Sequence, residues 1–320
     1  MDRILIADSL EPSGLEILKS AGAEVTLLAD ADRPRLAEIL PAYDALVVRS
    51  MTKVTRALIA AGTKLRVIGR AGIGVDNIDV PAATEHGILV VNAPTANLMS
   101  ACEHTFALLF SLARAVPAAD ATMKAGQWNR KPFVGFELDG KTLGLIGFGR
   151  IGQRVAERAK AFGMTVIAYD PMLDAAAARA LGVEPVTLDE LIPRCDVLSF
   201  HTPLNDSNRG LLSAERLATM KKGALVVNCA RGGLIDEPAL VAALDAGHLG
   251  GAALDVYEEE PPTYWPLAQH PKVVATPHIG AQTKEAQERI AIETSRMVLA
   301  ALAGDPNVAA VNVLPAALAR

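Results

Sequence analysis

Three short segments in the second half of the chain carry side chains that could move protons. They contain Arg231, then Asp255 with the run Glu258–Glu260, then His278, and each follows an apolar run typical of a strand. Ligands of an open parallel sheet bind outside the carboxyl ends of its strands, so we expect these side chains at one edge. A histidine base, an orienting carboxylate and an arginine for an anionic group would suit oxidation of an alcohol or reduction of a carbonyl.

The pattern leaves some choices open among these candidates. An arginine after a strand is often an exposed ion-pairing residue, but the glycine pair that follows Arg231 favours a functional placement. No single glutamate of the run can be chosen, because such runs are usually solvated turns. His278 is the preferred acid/base among six histidines, since a strand and a proline precede it. His201, at another strand end, is expected to line a cofactor site.

A glycine turn predicts the cofactor. Gly147, Gly149 and Gly152 lie between an apolar strand-like run and the amphipathic run 153–162, and Asp170 ends the next apolar run. This order is typical of a dinucleotide site, in which the glycines allow close approach of the pyrophosphate. The alternatives are an ordinary strand-turn-helix connection and a solvated Asp170. A carboxylate at 170 accepts hydrogen bonds from ribose hydroxyls and repels a 2′-phosphate, which favours NAD over NADP.

Composition excludes several classes of function. The chain has 320 residues, 51% of them hydrophobic, and a net charge of −5 without a basic cluster, so we expect no nucleic-acid partner. No apolar stretch reaches the roughly 18–20 residues of a membrane helix, and the start of the chain lacks signal-peptide features. Cys102, Cys195 and Cys229 have no metal-binding spacing. We therefore expect reduced thiols, no metal, no membrane association and a cytoplasmic protein.

Two series of alternating strands and helices predict an α/β fold with two doubly wound parallel sheets. We expect a discontinuous, flavodoxin-like substrate domain, 1–97 and 283–320, and a Rossmann NAD-binding domain, 98–282, with a cleft between them. The predicted strands of the first series are Ile4–Ala7, Glu24–Leu28, Ala45–Val48, Leu65–Ile68 and Ile88–Val91. Those of the second are Leu143–Ile146, Val166–Tyr169, Val197–Phe200, Leu225–Asn228, Gly251–Asp255 and Val273–Ala275.

Helices are predicted around these strands, among them one over 33–40. Ser100 with Glu103 matches a capping box and predicts a helix over 101–114 that is apolar on nearly every face. Such a helix needs cover on all sides, so we expect it between domains or at the subunit interface of a homodimer. A long helix is predicted over 284–303. The apolar tail 308–313 is predicted to form one more strand or an edge segment.

These motifs resemble those of the D-2-hydroxyacid dehydrogenase family in order and spacing, over almost the whole chain. The resemblance implies that Arg231, Glu260 and His278 are catalytic; Glu260 is selected because it lies five residues after Asp255, as in the family. Cys229 is expected to pack beside the nicotinamide, with a redox-sensitive thiol as the alternative. The predicted NAD site comprises Gly147, Gly149, Arg150, Ile151, Gly152, Asp170, His201, Thr202, Pro203, Cys229, Ala230, Asp255 and Gly280.

Within the family, the stretches 48–55 and 69–77 are similar to the substrate loops of members that oxidise 3-phospho-D-glycerate, the first step of serine biosynthesis. This implies a substrate site of Arg49, Ser50, Arg70, Gly72, Ile73 and Gly74, with Lys53 nearby. Guanidinium groups would bind the phosphate and the amides of Gly72–Gly74 the carboxylate; surface charge balance is the alternative for the arginines. Ile73 replaces a threonine common in close relatives, which puts a side-chain contact in doubt.

Other activities fit the same motifs. A glyoxylate or hydroxypyruvate reductase, or a broader D-2-hydroxyacid dehydrogenase, would use the same acid/base set on an unphosphorylated substrate. An NAD-sensing protein similar to transcriptional corepressors is the alternative outside enzymes. The resemblance is to the short members of the family, and we expect no serine-sensing domain.

Overall fold

The computed structural model of the chain describes residues 1–315 and 318. It contains two compact units: one is Met1–Asn97 with Gln282–Arg320, and the other is Leu98–Ala281. We call them the discontinuous unit and the continuous unit. Each is built on one parallel sheet with helices, as the alternating pattern predicted. Residues 316, 317, 319 and 320 of the predicted segment 283–320 lie outside the described residues.

The discontinuous unit has a five-stranded parallel sheet in the order β2-β1-β3-β4-β5. Its core consists of apolar side chains such as Leu5, Leu46 and Ile68, which are fully buried. The strands are β1 (Arg3–Ile6), β2 (Glu24–Leu27), β3 (Ala45–Val48), β4 (Val67–Arg70) and β5 (Leu89–Asn92). The helices of its first segment are α1 (Pro12–Ser20), α2 (Leu36–Ile39), α3 (Arg56–Ala61) and α4 (Val80–Glu85).

Two local predictions in this unit differ from the structure by more than one residue. Strand β4 begins at Val67 instead of Leu65, because Leu65 closes a turn by donating its amide to the Gly62 carbonyl. The predicted helix 33–40 is mostly a pair of 3-10 turns, Asp30–Arg35 and Leu40–Ala42, with only α2 between them. Pro34 and Pro41 lack the amide hydrogen that a continuous α-helix requires.

The chain returns to this unit through the C-terminal helix, Lys284–Leu302. Gly69 in β4 permits close contact, because a Cβ at this position would lie 2.5 Å from Val298. Ser295 also donates a hydrogen bond of 3.0 Å to the carbonyl of Gly14 in α1. The tail is an edge segment: Val311 donates to the Val90 carbonyl, and one antiparallel bridge joins the tail to β5.

The continuous unit has a seven-stranded parallel sheet in the order β12-β11-β10-β9-β6-β7-β8. The strand order reverses at β6, between β7 and β9, and in such sheets ligands bind at this switch point. Its strands are β6 (Thr142–Ile146), β7 (Thr165–Tyr169), β8 (Glu184–Pro185), β9 (Val197–Phe200), β10 (Leu225–Asn228), β11 (Gly251–Leu254) and β12 (Val273–Ala275). The two-residue β8 is too short for a sequence pattern and was not predicted.

The helices of the continuous unit cover both faces of this sheet, and the first of them starts earlier than predicted. They are α5 (Leu98–Ala113), α6 (Val116–Lys124), α7 (Arg150–Ala161), α8 (Ala175–Ala180), α9 (Leu188–Arg194), α10 (Ala214–Thr219), α11 (Glu237–Asp245) and α12 (Trp265–Ala268). The capping-box prediction at Ser100 is wrong, because α5 starts at Leu98 and Ser100 is buried inside its first turn.

Helix α5 is covered largely within its own unit. Phe106, Leu108 and Leu109 are buried against the sheet and α7. Phe110 also meets Phe162 edge-on, with ring centroids 5.0 Å apart. Among the described residues no single helix could span a membrane; α5 and α6 reach the necessary length and hydropathy only together, with a bend of 64° between them. The apolar character of α5 is therefore explained in large part by packing inside the unit.

Candidate functional site

The three glycines of the turn after β6 have three different environments. Gly147 has φ +95°, and a Cβ there would overlap the His201 carbonyl at the end of β9. A Cβ at Gly152 would overlap the Gly147 carbonyl. At Gly149, just before α7, a Cβ would meet no described atom within 4 Å. The turn is thus closed on the protein side and open at the helix N-terminus, which is the shape that a pyrophosphate requires.

Asp170 connects the end of β7 to this turn. Its Oδ2 accepts a hydrogen bond of 2.8 Å from the Phe148 amide, and its Oδ1 accepts one of 2.8 Å from the Met172 amide. A carboxylate oxygen can accept two hydrogen bonds, so each oxygen keeps capacity for a ribose hydroxyl. The backbone bonds hold the carboxylate in place beside the glycine turn, as an acidic residue selective for NAD requires.

His201 lies next to the same turn and is held neutral. Burial lowers its pKa to about 4, and its Nε2 lies 2.9 Å from the Ser199 hydroxyl. Thr202 follows at the strand end, and Asn208 fixes the next residue by donating to the Pro203 carbonyl at 2.7 Å. A histidine with this pKa is a poor proton carrier at neutral pH, and its position suits a wall of the cofactor site.

His278 and Glu260 form a direct pair. The His278 Nδ1 lies 2.6 Å from the Glu260 Oε2, and the two side chains are 48% and 36% exposed. The Tyr257 amide donates to the other Glu260 oxygen at 3.3 Å. The carboxylate therefore fixes the tautomer with hydrogen on Nδ1, and Nε2 makes no hydrogen bond to a described residue. An imidazole in this state can accept a proton at Nε2 while Glu260 stabilises the resulting charge.

The backbone of His278 is in the left-handed region, with φ +53°. The residues that follow it are anchored by Asp255, which is 1% exposed. Its Oδ1 accepts from the Ile279 amide at 2.8 Å and its Oδ2 from the Gly280 amide at 2.8 Å. A non-glycine residue adopts this conformation only where its surroundings impose it, so Asp255 holds the loop that presents the imidazole.

Two further side chains complete the surroundings of Asp255. The Thr276 hydroxyl donates to Oδ1 at 2.6 Å, and the His104 Nε2 lies 3.2 Å from the same oxygen. Burial opposes ionisation of Asp255, but these contacts and the Ile279 amide outweigh it and lower the pKa of the carboxyl. The contact of His104 with Asp255 was not predicted; no sequence signal places a residue of α5 beside the end of β11.

Arg231 lies in a loop held by Asn228, the last residue of β10. The Asn228 side chain donates to the Arg231 carbonyl at 2.8 Å and accepts from the Ala230 amide at 3.0 Å. A Cβ at Gly232 would overlap the Tyr257 carbonyl, so this loop lies against the segment that leads to Glu260. The continuous unit thus brings Arg231, Glu260 and His278 to the carboxyl ends of β10, β11 and β12.

Cys229 is a protonated thiol in these surroundings. Burial raises its pKa to about 12, the Asp255 carboxylate acts in the same direction, and a hydrogen bond with Thr105 opposes the shift only in part. Reactive cysteines are thiolates, so this environment favours the packed residue over the redox-sensitive alternative. Residues 1–315 and 318 contain no group of three or more histidine, cysteine or acidic side chains that could hold a metal ion.

The substrate residues predicted in the discontinuous unit lie at the ends of β3 and β4, where Val48 pairs with Arg70. The Arg49 guanidinium contacts the Ser9 hydroxyl at 3.4 Å and also the Gln287 side chain. It forms no ion pair with a carboxylate of the described residues. Ser50 is exposed beside it. Arg49 therefore keeps its charge for an anion.

Arg70 folds back over the following turn. Its guanidinium donates to the Ala71 carbonyl at 3.1 Å and fills the space that a side chain at Gly72 would take. The prediction that three amides are available here is wrong for Gly72, whose amide donates to the Arg70 carbonyl at 2.9 Å. The amides of Ile73 and Gly74 make no hydrogen bond to the described residues, so two donors remain for a carboxylate.

Comparison with known proteins decides the family. Residues 106–280 match the model of the D-isomer specific 2-hydroxyacid dehydrogenase, NAD binding domain. This match covers more than half of the chain. The chain belongs to the D-2-hydroxyacid dehydrogenase family. The family resemblance predicted from the motifs and the cofactor NAD are thereby confirmed.

Known proteins of this family match almost the whole length of the chain. The D-3-phosphoglycerate dehydrogenase of Bacillus subtilis (strain 168) is 48% identical over 319 residues, 99% of this chain and 60% of the relative. The solved TT0316 protein of Thermus thermophilus is 36% identical with a TM-score of 0.87, covering 97% of this chain and 100% of that one. A glyoxylate reductase from Paecilomyes thermophila is 33% identical with a TM-score of 0.85, covering 94% and 95%. The chain spans only 50–60% of the length of curated relatives it matches.

The NAD of the family fits the residues described above. The open side of Gly149 and the start of α7 suit the pyrophosphate, and the anchored carboxylate of Asp170 suits the ribose. His201, Thr202 and Pro203 follow β9 beside the turn, while Cys229, Ala230, Asp255 and Gly280 follow β10 to β12. Arg150 and Ile151 open α7. When bound, the nicotinamide of NAD⁺ supplies a hydride acceptor.

Proposed function

We propose that this D-2-hydroxyacid dehydrogenase oxidises 3-phospho-D-glycerate to 3-phosphohydroxypyruvate with NAD⁺, the first step of serine biosynthesis. The observation that carries the substrate assignment is Arg49, which has no acidic partner among the described residues and directly follows β3, whose last residue pairs with Arg70 of β4. Identity of 48% to a D-3-phosphoglycerate dehydrogenase supports the same substrate. A phosphate dianion gains most from guanidinium groups whose charge is not already neutralised.

The proposed roles follow from the contacts. The His278 Nε2 accepts the hydroxyl proton of the substrate during oxidation and returns it during reduction. Glu260 keeps the imidazole in the correct tautomer and stabilises its protonated form across the 2.6 Å contact. Arg231 orients the substrate carboxylate and the oxygen that becomes the carbonyl. Ile73 and Gly74 donate their amides to the carboxylate, and Arg49, Ser50 and Arg70 bind the phosphate.

The two units take different parts in this proposal. The discontinuous unit supplies the groups for the substrate, and the continuous unit supplies the NAD site and the acid/base. A glyoxylate or hydroxypyruvate reductase is the second candidate, favoured by the 33% identity to a glyoxylate reductase. That activity would use the same Arg231, Glu260 and His278 on a substrate without a phosphate.

A substrate panel tests the assignment. We expect kcat/KM for 3-phospho-D-glycerate to exceed that for D-glycerate and D-lactate by at least about 100-fold, because the phosphate adds charge-assisted hydrogen bonds. Arg49→Ala should remove most of this preference and leave kcat/KM for D-glycerate nearly unchanged. Arg56→Ala is the matched control, since it removes only surface ion pairs, those with Glu85 and Asp79. A wild-type preference for an unphosphorylated acid, or equal losses on both substrates in Arg49→Ala, would contradict the proposal.

We also propose a homodimer formed through the continuous unit. Most apolar side chains of α5 are covered within the unit, whereas the segment that follows it exposes Met123 (54%), Trp128 (77%) and Val134 (88%). Large apolar side chains clustered in one exposed segment are typical of a subunit interface. Light scattering at micromolar concentration should give twice the chain mass, and Trp128→Glu with Val134→Glu should shift it toward the monomer. A wild-type protein that is monomeric in this measurement would refute the proposed homodimer.

The cytoplasm is the proposed location. All three cysteines are free, and burial raises the pKa of each thiol. Unpaired cysteines are typical of proteins from reducing compartments.

A further inference from the structure

Asp8 is a buried carboxylate that the proposed chemistry does not use. It follows β1, which pairs with β3 in the sheet, so Asp8 lies beside the residues that follow β3. Only 6% of its surface is exposed. A buried carboxylate is costly unless several donors compensate it, so its partners indicate what it does.

Three of the four hydrogen bonds to Asp8 come from the turn Arg49–Thr52, which we call the phosphate loop. Its Oδ2 accepts from the Arg49 amide at 2.6 Å and from the Thr52 amide at 3.3 Å. Its Oδ1 accepts from the Thr52 hydroxyl at 2.9 Å and from the Arg33 guanidinium at 3.0 Å. One side chain thus binds the backbone at both ends of the phosphate loop.

Asn77 holds the same two residues through their carbonyls. Its side-chain amide donates 2.7 Å hydrogen bonds to the carbonyls of both Arg49 and Thr52. Asp8 therefore binds the donors of the phosphate loop and Asn77 binds its acceptors. The backbone at both ends of the loop is fixed by these two side chains.

The charge arrangement leaves Arg49 available. Asp8 contacts Arg49 only through the backbone amide, while its ion pair is with Arg33, which also pairs with Asp30. The negative charge of Asp8 is thereby compensated by a residue outside the phosphate loop. If Asp8 paired with the Arg49 guanidinium instead, that cation would be neutralised before a substrate arrived.

We infer that Asp8 and Asn77 are positioning residues that hold the phosphate loop in the geometry that binds the substrate phosphate. The inference rests on the proposed phosphorylated substrate. It assigns to these two residues a part of the substrate specificity that the loop sequence alone does not carry. Their effect acts on substrate binding and leaves the proton and hydride transfer unchanged.

Asp8→Asn tests the inference. An amide at this position presents hydrogens toward backbone amides and can no longer satisfy four donors, so the loop should shift. We expect KM for 3-phospho-D-glycerate to rise by at least about 10-fold, with kcat and KM for NAD⁺ within about twofold. The matched control is Asp44→Asn, which makes the same chemical change in the same unit. Asp44 lies just before β3 and accepts a hydrogen bond of 2.8 Å from the Arg3 amide. Asp44→Asn should lose stability in thermal unfolding, by less than Asp8→Asn, without any change in KM.

A double-mutant cycle separates this inference from the substrate assignment. In an Arg49→Ala background, Asp8→Asn should raise KM by no more than about twofold, because the group it positions is gone. If the two substitutions raise KM independently, so that their factors multiply in the double variant, the inference is overturned even if 3-phospho-D-glycerate is the substrate. Conversely, a wild-type preference for D-glycerate would refute the substrate assignment, on which the inference depends.

Asn77→Asp is the second variant, for the case that Asp8→Asn does not fold. It keeps the size of the side chain and replaces both donors to the loop carbonyls by an oxygen that repels them. The same rise in KM with unchanged kcat is expected. An unchanged KM in a folded Asn77→Asp protein, or equal losses for phosphorylated and unphosphorylated acids, would overturn the positioning role.

Discussion

Replacing His278 with glutamine is expected to lower kcat by about 1000-fold while the Kd for NADH stays within about twofold of wild type. The structure leaves the His278 Nε2 without a described hydrogen-bond partner and gives Nδ1 to Glu260 at 2.6 Å. Glutamine can occupy similar space but cannot accept the substrate proton at neutral pH. Steady-state turnover in both directions and fluorescence titration with NADH measure the two quantities.

The matched control for this variant is His86→Gln. His86 is exposed at the end of α4 in the other unit, and among the described residues its ring hydrogen-bonds only with the Ala82 carbonyl. Its replacement should leave kcat unchanged. Turnover of His278→Gln within tenfold of wild type would refute the acid/base role. An equal loss in His86→Gln would show that the assay reports folding instead of chemistry.

Gly149→Ala and Gly147→Ala should separate cofactor binding from folding. A Cβ at Gly149 meets no described atom within 4 Å, and its backbone has φ −73°, which alanine adopts readily. We expect Gly149→Ala to keep the wild-type melting temperature within about 2 °C and to weaken NADH binding by at least about 10-fold. The added methyl group occupies the open side of the turn where a pyrophosphate would approach.

Gly147→Ala should lose stability as well, by at least about 2 kcal/mol, because φ +95° strains alanine and its Cβ overlaps the His201 carbonyl. Gly140→Ala is its control: φ is +71°, but no described atom lies within 4 Å of the added carbon. Only the strain of about 1 kcal/mol is expected there. If Gly149→Ala binds NADH as tightly as wild type does, the open side of the glycine turn is not the pyrophosphate site.

Periodic features of the chain were predictable, and contacts between distant residues were not. Strands such as Ala45–Val48, Val197–Phe200 and Leu225–Asn228 were predicted to the residue, because a buried parallel strand is a continuous apolar run bounded by turns. The start of α5 was missed because Ser100 and Glu103 match a capping box by chance. A local pattern could not reveal that the helix had already begun at Leu98.

In the candidate site, too, local patterns could be predicted and contacts between distant residues could not. The glycine turn and Asp170 have a fixed local spacing, so the NAD site could be predicted from sequence. Glu260 could not be chosen from its run of glutamates without the family resemblance, and only the folded chain brings its carboxylate to His278. Asp8 and His104 have no motif at all, and Asn77 ends the stretch 69–77 without a local signal for its contacts. Their importance lies in hydrogen bonds to residues distant in sequence, such as Asp8 to Arg49.

The return of the chain through the C-terminal helix has a consequence for synthesis. On the ribosome, β1–β5 are complete once Asn92 has been added, but the helix that packs over Gly69 of β4 begins only at Lys284. At translation rates of about 5–20 residues per second, the apolar face of this sheet waits about 10–40 s for its cover. The continuous unit, whose sequence is uninterrupted, has all its strands during that interval. The discontinuous unit is therefore begun first and completed last. Its five-stranded sheet is the part of the nascent chain that depends on protection from aggregation.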